Sequence, residues 1–200
     1  MRFAPLATIG LLAGLLVAGA AIAQDKADGE VPAHPYVKLE TSQGDILLEL
    51  DGRRAPLTTR HFLALVDAGY YDGTIFHRVI PDFMIQGGGH TRDLKSKESE
   101  GSVPNESGNG LSNQRGTIAM ARTGDPHSAN AQFFINVANN DRLDPQPESW
   151  GYAVFGYVVE GMEVADKIVS VPTGPAGNFD KDVPVAAIVI EKASRVTYGN

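Results

Sequence analysis

The segment FHRVIPDFMIQGG, residues 76–88, is the most informative part of the sequence. Two short apolar runs, Thr74–Ile80 and Phe83–Gln86, flank a Pro-Asp pair, which is typical of two strands joined by a tight bend. Glycines follow at 87–89 without the Gly-Lys-Ser/Thr sequence of a phosphate-binding loop. These glycines therefore indicate a bend or bulge at the end of the second strand.

Arg78 is unusual in the first of these strands because its neighbours are mostly apolar. Strict alternation puts Phe76, Arg78 and Ile80 on one face, with His77 and Val79 on the other. A lone arginine in an apolar strand is commonly a salt-bridged residue at a sheet edge. Here large apolar side chains and a glutamine follow closely, which favours a surface that contacts a ligand. The residues alone leave both interpretations open.

Short strands and two helices are expected along the rest of the chain. Pro56 and the apolar spacing after it predict a helix over 57–68 that ends at Gly69, and 162–169 predicts a second helix. Further strands are expected at 36–41, 45–50, 117–121, 132–137, 153–159 and 185–197. The polar stretch 90–115 is expected to be a functional or mobile loop. Eight short strands and two helices predict a mainly β fold, a closed β-barrel, because closure removes exposed sheet edges.

The first 23 residues are expected to be a signal peptide. Arg2 precedes an apolar stretch at 6–20, and Ala21-Ile22-Ala23 matches a small-x-small cleavage pattern. A retained membrane anchor is the weaker interpretation, because a spanning helix needs roughly 20 apolar residues. The sequence has no cysteine, so a bacterial lipid anchor is not expected. We therefore expect an exported, periplasmic protein without a membrane anchor after cleavage.

The mature chain is expected to consist of a flexible leader, 24–35, and one domain, 36–198. The formal net charge of −7 argues against a nucleic-acid binder, which needs a basic surface. The five histidines show no metal-ligand spacing, and there is no G-x-S-x-G segment of a serine hydrolase. We expect each histidine to be at the surface or hydrogen-bonded, and the protein to be a monomer.

Four segments together resemble the cyclophilins. Phe76–Gly88 is similar to the family's signature, Gln132–Val137 and Ala153–Gly156 to two further hallmarks, and Met120–Thr123 to its bacterial members. They occur in the family's order within 36–197, nearly the whole expected domain. The resemblance implies an eight-stranded antiparallel β-barrel capped by two helices. It also implies a peptidyl-prolyl cis-trans isomerase that acts on proline-containing polypeptides without cofactor or metal, here assisting the folding of exported proteins.

The resemblance also implies the site residues. Arg78 occupies the place of the family's catalytic arginine, and Gln86 that of the glutamine that orients it and contacts the substrate. The apolar pocket for the substrate proline is expected from Phe83, Met84, Phe134 and Leu143. Contacts to the residues before the proline are expected from Ala121, Arg122 and Gln132, and Tyr152 is expected at the pocket rim.

Two positions depart from the better-known eukaryotic pattern. Tyr152 stands where a histidine is common, and Arg142 stands where a tryptophan is common, with Trp150 as an alternative occupant of that place. The missing tryptophan implies weak binding of cyclosporin, the cyclic peptide inhibitor of many cyclophilins. A barrel that holds proline segments without catalysis is the competing function. The presence of Arg78, Phe83 and Phe134 favours the enzyme.

Overall fold

The computed structural model describes Met1 and residues 31–199. The chain divides into two units, Met1–Glu30 and Val31–Asn200, and the fold below is that of the second unit. The expected signal peptide and most of the expected leader lie outside the described residues. No helix among the residues that the structure describes is long and apolar enough to cross a membrane.

Within residues 31–199 the chain forms ten strands, two α-helices and one 3₁₀ turn. The strands are β1 (Tyr36–Thr41), β2 (Gly44–Leu50), β3 (Thr74–Ile80), β4 (Met84–Thr91), β5 (Thr117–Met120), β6 (Phe133–Asn136), β7 (Val154–Glu160), β8 (Thr173–Ala176), β9 (Phe179–Pro184) and β10 (Ile190–Val196). The α-helices are α1 (Pro56–Asp67) and α2 (Met162–Val169), and the 3₁₀ turn is Asp141–Leu143.

Eight strands form one antiparallel sheet in the order β10-β1-β2-β7-β5-β6-β4-β3. Its two edges meet where Ile75 of β3 bridges to Val189. The backbone N–H of Phe76 donates to the carbonyl oxygen of Ile188 at 2.9 Å, and that of Gly73 to Ile190 at 2.8 Å. The predicted mainly β fold with eight sheet strands and two helices is confirmed. The sheet curls round until its edges touch through this short contact, without a full ladder between β3 and β10.

Aromatic and aliphatic side chains on one face of the curled sheet pack against α1. Alternation sets this face in β1, where Val37 and Leu39 are buried. Phe62 of α1 is fully buried, and its ring centroid lies 5.7 Å from that of Phe133 and 5.1 Å from that of Phe155. Burial of this large apolar surface is the main stabilising contribution to the barrel.

A β-bulge in β3 overturns the expected alternation. Phe76 pairs with Gly87 but Arg78 pairs with Gln86, so His77 is an extra residue in the strand. Phe76 packs in the core, as Val79 does, whereas His77 and Arg78 both line a cavity on the opposite face. The expectation that Phe76 shares a face with Arg78 was therefore wrong.

Strand β4 is longer than expected, and the last strand is shorter. The triglycine segment 87–89 lies within β4 and not at its end, because the strand continues to Thr91. Gly88 has a φ of 81° there, and a Cβ atom would lie 2.8 Å from Tyr71, so only glycine fits without strain. The strand expected at 185–197 begins at Ile190, and a hairpin of β8 and β9 precedes it that the sequence did not predict.

The long loop between β4 and β5 is fixed to the fold. The Glu106 carboxylate accepts hydrogen bonds from the backbone N–H groups of Leu57 and Thr58, at 3.1 and 2.8 Å. Both N–H groups belong to the first turn of α1, whose N-cap residue, Ala55, makes no side-chain cap. A carboxylate at this end of a helix satisfies its free donors and interacts favourably with its dipole.

Candidate active site

A cavity of about 410 Å³ lies on the face of the sheet opposite to the main core. Its lining residues are His77, Arg78, Phe83, Met84, Gln86, His90, Ala121, Arg122, Gln132, Phe134, Leu143, Tyr152 and Phe179. All ten side chains that the sequence assigned to a site are among them. His77, His90 and Phe179 are additional.

The apolar floor of the cavity comes from adjacent strands. Met84 on β4 and Phe134 on β6 are almost fully buried, and they pack with Leu143 and Phe83 in a cluster separate from the main core. The ring of Tyr152 meets that of Phe134 edge-on, with centroids 5.6 Å apart. This arrangement forms an apolar recess that can accept a small aliphatic ring.

Arg78 lies beside this recess with 41% of its side chain exposed. Its Nε is 3.9 Å from Oδ2 of Asp182 on β9, an ion pair beyond hydrogen-bonding distance. Gln86 is opposite Arg78 in the ladder, but its Nε2 donates to Oε1 of Gln132 at 2.9 Å. The orienting role expected for Gln86 stays a prediction, because no hydrogen bond joins it to Arg78 in the part of the chain described.

Two histidines and a phenylalanine form one wall of the cavity. The ring centroids of His77 and His90 are 4.3 Å apart, and Phe179 lies 5.5 Å from the first and 5.1 Å from the second. The pKa of His77 is lowered to about 4. Burial is the largest cause, and the neighbouring charges of His90 and Arg78 contribute to the same shift. Burial also lowers the pKa of His90. The His77 ring is therefore uncharged near neutral pH.

These three wall residues were missed for identifiable reasons. His77 faces the cavity because of the bulge, which alternation does not reveal. His90 lies beyond the predicted end of β4, and Phe179 belongs to the unpredicted hairpin. No motif in the sequence marks His90 or Phe179, and the signature-like segment 76–88 contains His77 without assigning it to the site.

Arg122 holds one side of the cavity in place. Its Nη2 donates to the carbonyl oxygen of Trp150 at 2.8 Å and its Nη1 to that of Thr123 at 2.9 Å. The guanidinium carbon lies 4.6 Å from the ring centroid of Tyr152, a cation–π contact. Arg122 therefore fixes the loop that carries Tyr152 to the cavity.

Arg142 and Trp150 occupy different places near the site. The guanidinium carbon of Arg142 lies 4.7 Å from the ring centroid of Phe83, which lines the cavity. Trp150 is half-exposed, packs edge-on against His127 and borders a second cavity with Pro145 and its neighbours. Of the two, Arg142 is therefore the one that lies against a residue of the cavity lining.

Comparison with known proteins identifies the family of the chain. Residues 36–195 match the family model described as cyclophilin type peptidyl-prolyl cis-trans isomerase/CLD. The chain is 56% identical over 160 residues to peptidyl-prolyl cis-trans isomerase cyp18 of Streptomyces antibioticus, covering 78% of this chain and 96% of that one. It is 54% identical over 158 residues to peptidyl-prolyl cis-trans isomerase A of Dickeya dadantii, covering 79% and 83%.

A solved structure shows the same likeness. It is the Cryptosporidium parvum cyclophilin type peptidyl-prolyl cis-trans isomerase, determined in the presence of the dipeptide Ala-Pro. It matches with a TM-score of 0.66 and 26% identity, over 82% of this chain and 99% of that one. Because the family model spans the whole barrel and the bacterial relatives share more than half of the aligned residues, the chain belongs to the cyclophilin-type peptidyl-prolyl cis-trans isomerases.

Proposed function

We propose that the cavity beside Arg78 is where this isomerase twists the X-Pro bond of its polypeptide substrate. The observation that carries the proposal is the position of one guanidinium next to a recess of Met84, Phe134 and Leu143. The recess takes the proline ring, and Arg78 lies where it can reach the amide in front of that ring. Ala121, Arg122 and Gln132 contact the chain before the proline.

The obstacle to the reaction is amide resonance, which gives the peptide bond a rotation barrier of roughly 18–20 kcal/mol. The two isomers of an X-Pro bond are close in free energy, yet they interconvert in tens to hundreds of seconds. No bond is made or broken, so the enzyme needs only to bind the twisted amide more tightly than either planar one.

Arg78 supplies such differential binding. In the twisted amide the prolyl nitrogen regains its lone pair, so the guanidinium donates a hydrogen bond to it in that state alone. A hydrogen bond from a charged group contributes roughly 1.5–3 kcal/mol net. The contribution grows in a dry, preorganised site, and the apolar recess provides one.

The recess adds a second effect. A planar amide has a larger dipole than a twisted one, so an apolar environment raises the free energy of the planar state relative to the twisted one. An acceleration on the order of 10⁵ requires about 7 kcal/mol. The arginine alone falls short of that, and positioning by Gln86 and the recess makes up the difference.

The test is the Arg78→Ala variant, assayed by NMR exchange on a short X-Pro peptide. We expect kcat/KM to fall by about 100-fold or more, with the fold retained, because the side chain is half-exposed. Arg78→Lys is the matched control: we expect only partial activity, since an ammonium lacks the planar fork of a guanidinium. Near wild-type turnover of Arg78→Ala would assign the chemistry to other residues.

We further propose that the catalytic domain is 36–198 and that the protein assists the folding of exported proteins. Support comes from the order of charged start, apolar stretch and Ala-Ile-Ala in the first 23 residues. Uncatalysed X-Pro isomerisation takes roughly 10–100 s and can limit the folding of a polypeptide, so an isomerase can speed the folding of exported proteins. A monomer is sufficient for this activity, because one chain supplies the whole cavity.

A further inference from the structure

We infer that Asp182, which lies on β9 of the β8–β9 hairpin, is a positioning residue for Arg78. The inference rests on the proposed role of Arg78, and it adds Asp182 to Gln86 as a residue that orients the guanidinium. Asp182 does not touch the substrate amide. It acts through the guanidinium.

The polar surroundings of Arg78 point to this carboxylate. Among the residues the structure describes, Asp182 is the one carboxylate within 4 Å of the Arg78 guanidinium, with Nε and Oδ2 3.9 Å apart. The Nε2 of Gln86 donates to Gln132, and no hydrogen bond joins Gln86 to Arg78 among these residues. Asp182 is the more enclosed of the pair, with 20% of its side chain exposed against 41% for Arg78. Enclosure reduces screening by water and salt, so the attraction is stronger than at an open surface.

The hairpin presents Asp182 in an unusual backbone conformation. Its φ of 67° lies in the left-handed region, which residues with a Cβ rarely adopt and which Asp and Asn tolerate best. The next residue, Val183, is buried, and Phe179 packs on both cavity histidines. These contacts seat the hairpin on the wall that carries Arg78. An aspartate held this way at the arginine is consistent with a site-specific role.

Asp182 lies on the Nε side of the Arg78 guanidinium, and this placement supports a positioning role. A guanidinium offers one N–H at Nε and four at its terminal nitrogens. A carboxylate on the Nε side restricts rotation of the planar group while the terminal nitrogens stay free for the substrate. Because the separation exceeds a hydrogen bond, Arg78 retains the freedom to shift towards the prolyl nitrogen as the amide twists.

The test compares Asp182→Asn with Asp180→Asn, since both carboxylates lie on β9 and Asp180 is exposed. Asparagine keeps the shape and the tolerance for positive φ but removes the charge. We expect Asp182→Asn to lower kcat on an uncharged Ala-Pro peptide about tenfold with KM within about twofold, because only the twisted state uses the arginine. Asp180→Asn should leave both constants unchanged.

Repeating Asp182→Asn in the Arg78→Ala background tests whether the effect passes through the arginine. We expect no further loss there, because a positioning residue has nothing left to position. If Asn lowers the Tm, Asp182→Gly is the second variant, since glycine suits a positive φ, and the same loss of kcat is expected.

Wild-type kcat in Asp182→Asn, or an equal loss in both backgrounds, would overturn the inference while leaving the proposed role of Arg78 intact. Full activity of Arg78→Ala would instead overturn the proposed function. The two failures are therefore distinguishable.

Discussion

The Nε2 of Gln86 donates a hydrogen bond to Oε1 of Gln132, 2.9 Å away, and so ties β4 to the residue that precedes β6. The place of Gln132 depends in turn on a glycine. A Cβ atom at position 89 would lie 2.3 Å from Cγ of Gln132. Gln86 and Gln132 are thus hydrogen-bonded to each other in the cavity wall. Gln132 fits there because residue 89 is a glycine and has no Cβ atom.

Gly89→Ala should therefore impair catalysis through Gln132, the cavity residue that the new methyl group would meet. The new methyl group forces Gln132 away, breaks its bond to Gln86 and costs roughly 1–3 kcal/mol of stability through overpacking. We expect kcat/KM to fall about tenfold. Gly108→Ala is the control, because nothing lies within 4 Å of its Cβ position. Wild-type activity in Gly89→Ala would show that the glutamine pair is dispensable.

The buried histidine makes stability depend on pH. His77 has a pKa of about 4 in the folded protein and near 6.5 in the unfolded chain, so between these values the unfolded chain binds the extra proton. Its contribution is fully present above about pH 6.5 and is lost as the pH falls towards 4. The shift corresponds to about 3 kcal/mol over the whole window.

We therefore expect the free energy of unfolding to drop by about 2 kcal/mol between pH 7 and pH 5 from His77 alone. Denaturant titrations at the two pH values measure this drop. His77→Phe should reduce it, because no proton can bind at that position. His34→Gln is the control, since that ring is about half exposed. An unchanged drop in His77→Phe would mean that other groups cause it.

The alternation or helical spacing of apolar residues was sufficient to predict the strands and helices whose buried residues recur at a regular interval. In β1, Val37 and Leu39 are buried in turn, and α1 begins at Pro56 as expected. The bulge at His77 was not predictable, because it is set by pairing with β4 and no residue type marks it.

The part of the cavity wall contributed by the β8–β9 hairpin could not be predicted for a different reason. Its glycines, proline and charges resemble a loop, because a two-stranded hairpin on the surface buries few of its own side chains. The approach of Asp182 to Arg78 joins residues far apart in the chain. Such a contact is a property of the folded barrel and leaves no local pattern.

The export proposal has a direct chemical test. We expect the mature protein from its native compartment to begin at Gln24 or within about two residues of it, because Ala21-Ile22-Ala23 has the small-x-small pattern. N-terminal sequencing of that material measures the cleavage point. An intact Met1, or recovery in the detergent fraction alone, would contradict export as a cleaved protein.

Cyclosporin should bind this enzyme weakly, because Arg142 covers Phe83 where a tryptophan is common in sensitive cyclophilins. The arginine can donate hydrogen bonds, but covering its hydrated charge with an apolar peptide adds a desolvation cost on the order of 1 kcal/mol. Trp150 borders a different cavity and does not replace the missing ring. We expect Arg142→Trp to tighten inhibition at least about tenfold, or roughly 1.4 kcal/mol, in a titration of both forms. Arg142→Ala is the control that separates the two causes, since modestly tighter cyclosporin inhibition of this variant would identify the charge as the obstacle. Strong inhibition of the unmodified enzyme would contradict the prediction, because neither the charge nor the missing ring would then decide binding.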